Sequence, residues 1–338
     1  MKPVIYHCIT RVVDRQYHFG PDEKEWLRAL MRMQENFSGC RVLAYCLMSN
    51  HIHILLEVPP MPESGISDDV LLTRLRAIYD EVTVDEVAKR LKDLREQGLE
   101  EQARRLHETY TYRMHNLSEF MKSFLQRSTQ KFNRAKERTG TLWESRFKSV
   151  IVEDGFAAKT MAAYIDLNPV RAGIVQDPAE YRWSSYGEAI GGGAKGTGKK
   201  ARAGLVRAIL AHKGYGADAK YWDEVATSYR MLLLEGAKEK REEVVAPDGT
   251  RAERVLRKGM TPEEIEKARE LALGRLIRLR VRYFTDGAVI GSRGFVDEVF
   301  SRCRARFSAK RMTGARKFRT VGSSQSDFLW SARDLRKK

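Results

Sequence analysis

Long apolar runs are missing from this 338-residue chain. No stretch approaches the roughly 20 residues that cross a bilayer, and the start Met1 to His7 lacks the apolar core of a signal peptide. A cytoplasmic location is therefore expected, with no membrane partner. Cysteine is scarce as well. Cys8, Cys40, Cys46 and Cys303 show no CxxC spacing, which suggests neither a disulfide framework nor a zinc knuckle. Acidic residues fall short of basic ones, 45 against 61, leaving a formal charge of +16. A surplus of that size points to polyanionic partners, nucleic acid before membrane surface. No internal repeat is visible. The length allows a sizeable core and predicts two domains.

What is present is most informative at His51-Ile52-His53, within the apolar run from Ala44 to Glu57. Strand side chains alternate, so both imidazoles share one face while Ile52, Ile54 and Leu56 take the other. Paired neutral ring nitrogens at the edge of a core can seat a divalent cation. A polar strand face with hydrogen-bonded histidines has the same spacing, and spacing alone leaves both readings open.

Hydrophobic periodicity predicts a first strand over 4–13, a helix over 22–37 ended by Gly39, and two strands, 42–48 and 51–58. Pro59-Pro60 stops the last of these. Residues 61–112 are rich in Glu, Lys, Arg and Leu and read as an inserted helical hairpin, with helical runs over 69–82 and 83–107. A helix over 117–135 follows, with Phe120, Phe124, Ser128 and Phe132 as a sheet-facing stripe. A strand region over 141–152 comes next. Asp154 is the expected N-cap of a helix that Pro169 ends near Asn168. That order describes an α+β fold, a ferredoxin-like antiparallel sheet with helices on one face.

The predicted boundaries are a first α+β unit over 1–190, a Gly-rich linker over 191–200, and a mostly helical domain over 201–338. In that last part Thr261-Pro-Glu-Glu264 resembles a capping box opening a helix to about Tyr283, and Ser292 is placed to cap a final helix. Helix, turn and helix fit either a helix-turn-helix DNA-binding unit or an ordinary small helical domain. A basic segment over 301–320 reads as a solvated tail or a phosphate-contacting one.

Tyr164 and Asn168, four apart on one helix, share a face. If that face meets the histidine pair, two imidazoles, an amide oxygen and a phenol converge, a set suited to Mg²⁺ or Mn²⁺. A phenol with a pKa of about 10 is a poor nucleophile unless positive charge favours the phenolate. Attack on a polarised phosphodiester would leave a covalent phosphotyrosine, reversible by a strand hydroxyl. Taken singly, Tyr164 reads as a half-buried aromatic and Asn168 as a helix end before proline.

Several blocks together resemble a known family. They are Tyr6-His-Cys-Ile-Thr-Arg11, Leu47-Met-Ser-Asn-His-Ile-His-Ile-Leu-Leu56, Gly140-Thr-Leu-Trp-Glu-Ser-Arg-Phe147, Tyr164-Ile-Asp-Leu-Asn-Pro-Val-Arg-Ala-Gly173 and Tyr181-Arg-Trp-Ser-Ser185. In this order they are similar to the single-tyrosine HUH transposases, nearest to the REP-associated tyrosine transposases (RAYT). The resemblance covers about residues 4–187, interrupted by the 61–112 insertion. It implies His51 and His53 as metal ligands, Asn168 in the place of a third polar ligand, and Tyr164 as nucleophile. It further implies a ferredoxin-like catalytic domain acting on single-stranded or hairpin DNA as monomer or homodimer. Gly291-Ser-Arg-Gly-Phe-Val296 is similar to a stretch in longer members. Arg11, Arg15, Lys122, Arg127, Lys131, Arg134, Arg138, Arg146 and Lys148 are the expected DNA contacts. Trp143 or Phe147 could stack an unpaired base or belong to the core. The rival reading is a catalytically idle DNA-binding regulator on a transposase scaffold, and a third is an RNA-directed relative.

Overall fold

A computed structural model of the chain describes residues 2–192, 196, 198–210, 218–236, 240–245, 251–257, 281–286, 288–318 and 329–332. The first strand, β1 (Val4–Arg11), leads through α1 (Pro21–Ser38) to the hairpin of β2 (Arg41–Leu47) and β3 (His51–Val58). Gly39 ends α1 with φ 71°, a left-handed conformation that a side chain would strain.

The insertion holds three helices, α2 (Asp68–Leu75), α3 (Glu81–Glu96) and α4 (Glu100–Thr111), where a two-helix hairpin was expected. Two local signals divide it. Asp80 accepts from Thr83 N at 2.8 Å to start α3, and Gly98, with φ +71°, separates α3 from α4. Leu71, Leu75, Val84, Leu91 and Met114 form a small core of their own, with Phe37 of α1.

After α5 (Leu117–Ala135) the chain reaches β4 (Lys148–Val152), shorter than the strand expected over 141–152. Trp143 makes one isolated bridge to Val12, and its indole donates to Leu125 O and Ser128 Oγ, both at 3.2 Å. The ring is thereby drawn under α5 and the strand starts later. Next come α6 (Phe156–Asp166), the single turn α7 (Asn168–Arg171), α8 (Ser185–Gly191), α9 (Gly198–Leu210) and α10 (Trp222–Gly236). The N-cap of α6 is Gly155; Asp154 sits one residue earlier and is held by Arg207 at 3.0 Å. As expected, α6 ends near Asn168, at Asp166, and Pro169 falls in the first turn of the separate α7, where no amide hydrogen is needed.

The remaining described elements are the hairpin of β5 (Lys240–Val245) and β6 (Arg251–Arg257), α11 (Val281–Asp286), β7 (Val289–Gly291), α12 (Arg293–Arg302), β8 (Arg316–Lys317) and β9 (Trp330–Ser331). This C-terminal region is mostly helical, yet three of its strands extend the N-terminal sheet, whose order is β2-β3-β1-β4-β7-β9-β8. All neighbours are antiparallel except β4 and β7, so the sheet is open and mixed rather than antiparallel throughout. Ser292 caps α12 as expected, accepting from Phe295 N at 3.3 Å. Between α11 and α12, however, lies β7 in place of the turn of a helix-turn-helix. Val289 and Ile290 are apolar and β-branched, and they pair with Ile151 and Val152. Residues 193–195 and 197 of the expected linker, Thr261 to Glu264 with the helix to 280, and 319–320 of the basic segment lie outside the described residues.

Helices cover both sheet faces, not one. Cys8, Ile52, Ile54 and Leu56 pack under α1 and α5, whereas Ile5, Leu55, Val150 and Val152 pack under α6, α9 and α10. The strands are apolar on both sides and need both covers. Contact between α9 and the sheet is close: a Cβ at Gly204 would stand 2.4 Å from Val42 O. Gly204→Ala is therefore expected to cost about 1–3 kcal/mol through overpacking. Chemical denaturation measures it, and an unchanged midpoint would mean that α9 does not press on β2. Among the described residues no helix is long and apolar enough to cross a membrane.

Candidate active site

Strand register builds one wall of the site. Arg11 lies opposite His51, Ile9 opposite His53, and Lys148 opposite Ile9 on the other side, so cross-strand rows carry these side chains on one face. The helix α6 crosses the same face and brings Tyr164 over it, and Asn168 follows at the start of α7. Together with Arg146, Thr285 and Asp286 they line a cavity of about 250 Å³. Residues from β3 and from the α6–α7 segment thus converge, as the shared-face condition required.

The imidazole rings of His51 and His53 are 5.0 Å apart and nearly perpendicular, and the Tyr164 ring stands 5.9 Å from His53. Burial, with Arg11 adding to it, lowers the His51 pKa to about 4. His53 is pushed well below the usual range by burial, then by His51, His7, Arg11 and Arg171. Both rings are neutral at physiological pH, the state that ligates a metal. Asn50 donates from Nδ2 to Arg15 O at 2.9 Å, which turns its Oδ1 toward His51 Nδ1, 2.7 Å away. The proton therefore sits on Nδ1, and Nε2 of His51 keeps its lone pair. Asn168 donates from Nδ2 to Tyr164 O at 3.0 Å and Ile165 O at 3.3 Å, and so reserves its Oδ1 as an acceptor. Two imidazoles and an amide oxygen fit an Mg²⁺ or Mn²⁺ with further positions left for phosphate and water. Among the described residues no three His, Cys, Asp or Glu side chains gather as a metal site.

Tyr164 is 1% exposed. Phe284 stacks on its ring at 4.4 Å and 11°, and the Arg171 guanidinium lies 4.9 Å from its centroid. Burial pushes the phenol up to about 12, with Arg171 pulling against it. Nη1 of Arg171 is buried and has no hydrogen-bond partner among the described residues.

The expected DNA contacts divide. Arg11, Arg146 and Lys148 line the cavity, and Lys148 also pairs with Asp286 at 3.6 Å. Arg11 and Arg15 line an adjoining groove with Tyr17 and Asn50. Lys122, Arg127, Lys131 and Arg134 ride on α5, which covers the opposite sheet face, and the structure does not bring them to the cavity. Arg138 packs over Phe132 and donates to Thr141 O. Trp143, 7% exposed, belongs to the core, and Phe147 packs partly against it. Sequence reasoning passed over His7, Arg171 and the 284–286 segment. For His7 a signal existed: in β1 it alternates onto the same face as Ile9 and Arg11.

Residues 1–69 match the family model described as "Transposase IS200 like". Among solved structures, the chain is similar to one described as "Structure of the REP associates tyrosine transposase bound to a REP hairpin". The identity is 12%, the TM-score 0.36, and the match covers 56% of this chain and 81% of that one. No curated protein matches the chain. What the family match supports is a single N-terminal domain of the IS200-like tyrosine-transposase type.

Proposed function

We propose that this protein is a metal-dependent DNA endonuclease and strand-transferase that cleaves and rejoins single-stranded or hairpin DNA through a phosphotyrosine at Tyr164. The observation carrying this reading is the meeting of His51, His53, Asn168 and Tyr164 at one cavity. It is supported by the IS200-like match over residues 1–69 and by the +16 charge. We take the four-strand frame β2-β3-β1-β4, with α1 and α5 as its crossovers, as ferredoxin-like, and residues 1–190 as the catalytic unit in the cytoplasm.

In this reading His51, His53 and Asn168 hold Mg²⁺ or Mn²⁺, whose charge, when bound, makes the scissile phosphorus more electrophilic. Arg11, Arg146 and Lys148 bind the strand by its phosphates. The phenol oxygen of Tyr164 forms a bond to phosphorus as the bond to one deoxyribose oxygen breaks. The phenolic proton leaves to solvent, and the departing oxygen takes a proton to become a free hydroxyl. Arg171, whose guanidinium lies over the Tyr164 ring, favours the phenolate as the proton leaves. Reversal by another strand's hydroxyl rejoins DNA without ATP.

Incubation with hairpin or single-stranded DNA and Mn²⁺, followed by mass spectrometry, is expected to recover a nucleotide-linked peptide containing Tyr164. The covering of Tyr164 by Phe284 favours one other reading, a DNA-binding regulator that does not cleave. Absence of any linked peptide would favour that regulator.

Binding itself is testable by salt. Arg146→Ala and Lys148→Ala should each weaken binding of single-stranded DNA and flatten log K against log salt by about 0.7. Lys122→Ala and Arg134→Ala should leave the slope as it is. An unchanged slope for the first pair, measured by fluorescence anisotropy, would place the strand elsewhere.

A further inference from the structure

We propose that His7, anchored by the main-chain carbonyl of Phe284, is a positioning residue that fixes the proton of His53 on Nδ1 and so frees Nε2 for the cation. This rests on the metal seat proposed above and extends it to a strand and a C-terminal segment that the motif does not include. His7 is fully buried on β1, diagonal to His53 across the β1–β3 pair. Its Nδ1 lies 2.9 Å from Phe284 O, across 277 residues of sequence. A carbonyl oxygen only accepts, so His7 Nδ1 carries the hydrogen and its Nε2 keeps a lone pair. That Nε2 lies 2.9 Å from His53 Nδ1. His53 must then donate from Nδ1, and its remaining nitrogen, Nε2, is left as a ligand atom. The ring planes are 17° from parallel with centroids 5.1 Å apart, the nearly coplanar edge-to-edge arrangement that an in-plane N–H···N bond requires.

His51 has the same device in a shorter form, through Asn50 and the Arg15 carbonyl. Each imidazole thus ends a chain that starts at a main-chain carbonyl. An outer partner of this kind orients a ligating histidine and sets its tautomer. The difference is where the chain begins: Arg15 belongs to the N-terminal domain, whereas Phe284 comes with α11. Because the Phe284 ring also stacks on Tyr164, this one residue touches both halves of the site. The segment around α11 is then a working part of the catalytic centre.

Two measurements on the full metal-free chain test this. A long-range ¹H–¹⁵N correlation spectrum of the wild type is expected to show His53 protonated at Nδ1; a proton on Nε2 overturns the proposal without any variant. Mn²⁺ affinity, read by electron paramagnetic resonance in the absence of DNA, should fall about 10- to 100-fold in His7→Phe. His7→Gln, whose amide oxygen can accept in place of Nε2, should recover most of that loss. Circular dichroism confirms that the variants fold. Wild-type affinity in His7→Phe alongside lost binding in His51→Ala would overturn the role of His7 and leave the seat standing. Wild-type affinity in both would overturn the role and the seat together.

Discussion

Tyr164→Phe is expected to abolish the covalent protein–DNA adduct while leaving DNA affinity within about twofold. The substitution removes one oxygen and keeps the ring that packs between Phe284 and Arg171, so the core of α6 is undisturbed. In the proposed function Arg11, Arg146 and Lys148 bind the phosphates, and the substitution alters none of them. Cleavage should fall by about 10⁴-fold or more, the scale on which loss of a nucleophile acts. Gel-shifted adducts after denaturation give the readout. Adducts that persist would move the role to another tyrosine. Tyr17, 83% exposed in the groove beside His51, then becomes the first candidate, ahead of Tyr110 and Tyr112 in the insertion.

The second large effect concerns the cation. His51→Ala should lose cleavage even at high Mn²⁺ concentration, with the circular dichroism spectrum unchanged. His51 sits at the rim of the sheet, partly exposed, so its removal opens no cavity in the core. It does remove one of the two imidazoles that line the cavity among the described residues. The surviving His53 and Asn168 would supply one nitrogen and one amide oxygen, too few to hold a hard cation against water. Wild-type cleavage by this variant would end the metal assignment, whatever the tyrosine does.

Much of this site can be read locally. Alternation in His51-Ile52-His53 puts the two rings on one face, and the spacing of four puts Tyr164 and Asn168 on another. Both follow from periods of 2.0 and 3.6 residues, which need no tertiary information. The basic residues of α5 show where such reasoning stops. Phe120, Phe124, Ser128 and Phe132 correctly mark the buried side of that helix. They do not say which sheet face the helix lies on, because β1 and β3 are apolar on both faces. A helix with the right stripe packs equally well on either, and connection handedness decides. Periodicity therefore leaves open whether Lys122 and Arg134 stand on the cavity side of the sheet, and the structure puts them on the other. The strand expected over 141–147 failed for a related reason: Trp143 finds its indole partners on α5, and that tertiary bond outweighs local β propensity.

By itself, then, the amino-acid order determined which side chains share a face, where the helices and strands fall over 4–58 and 117–135, and what chemistry the shared faces could support. Tertiary structure alone decided that α11 closes over Tyr164 and that the Phe284 carbonyl reaches His7. The physical reason is range. Side-chain periodicity is set by backbone geometry over a few residues, whereas a contact spanning 277 residues depends on β7 finding β4 and on α9 fitting the sheet at Gly204.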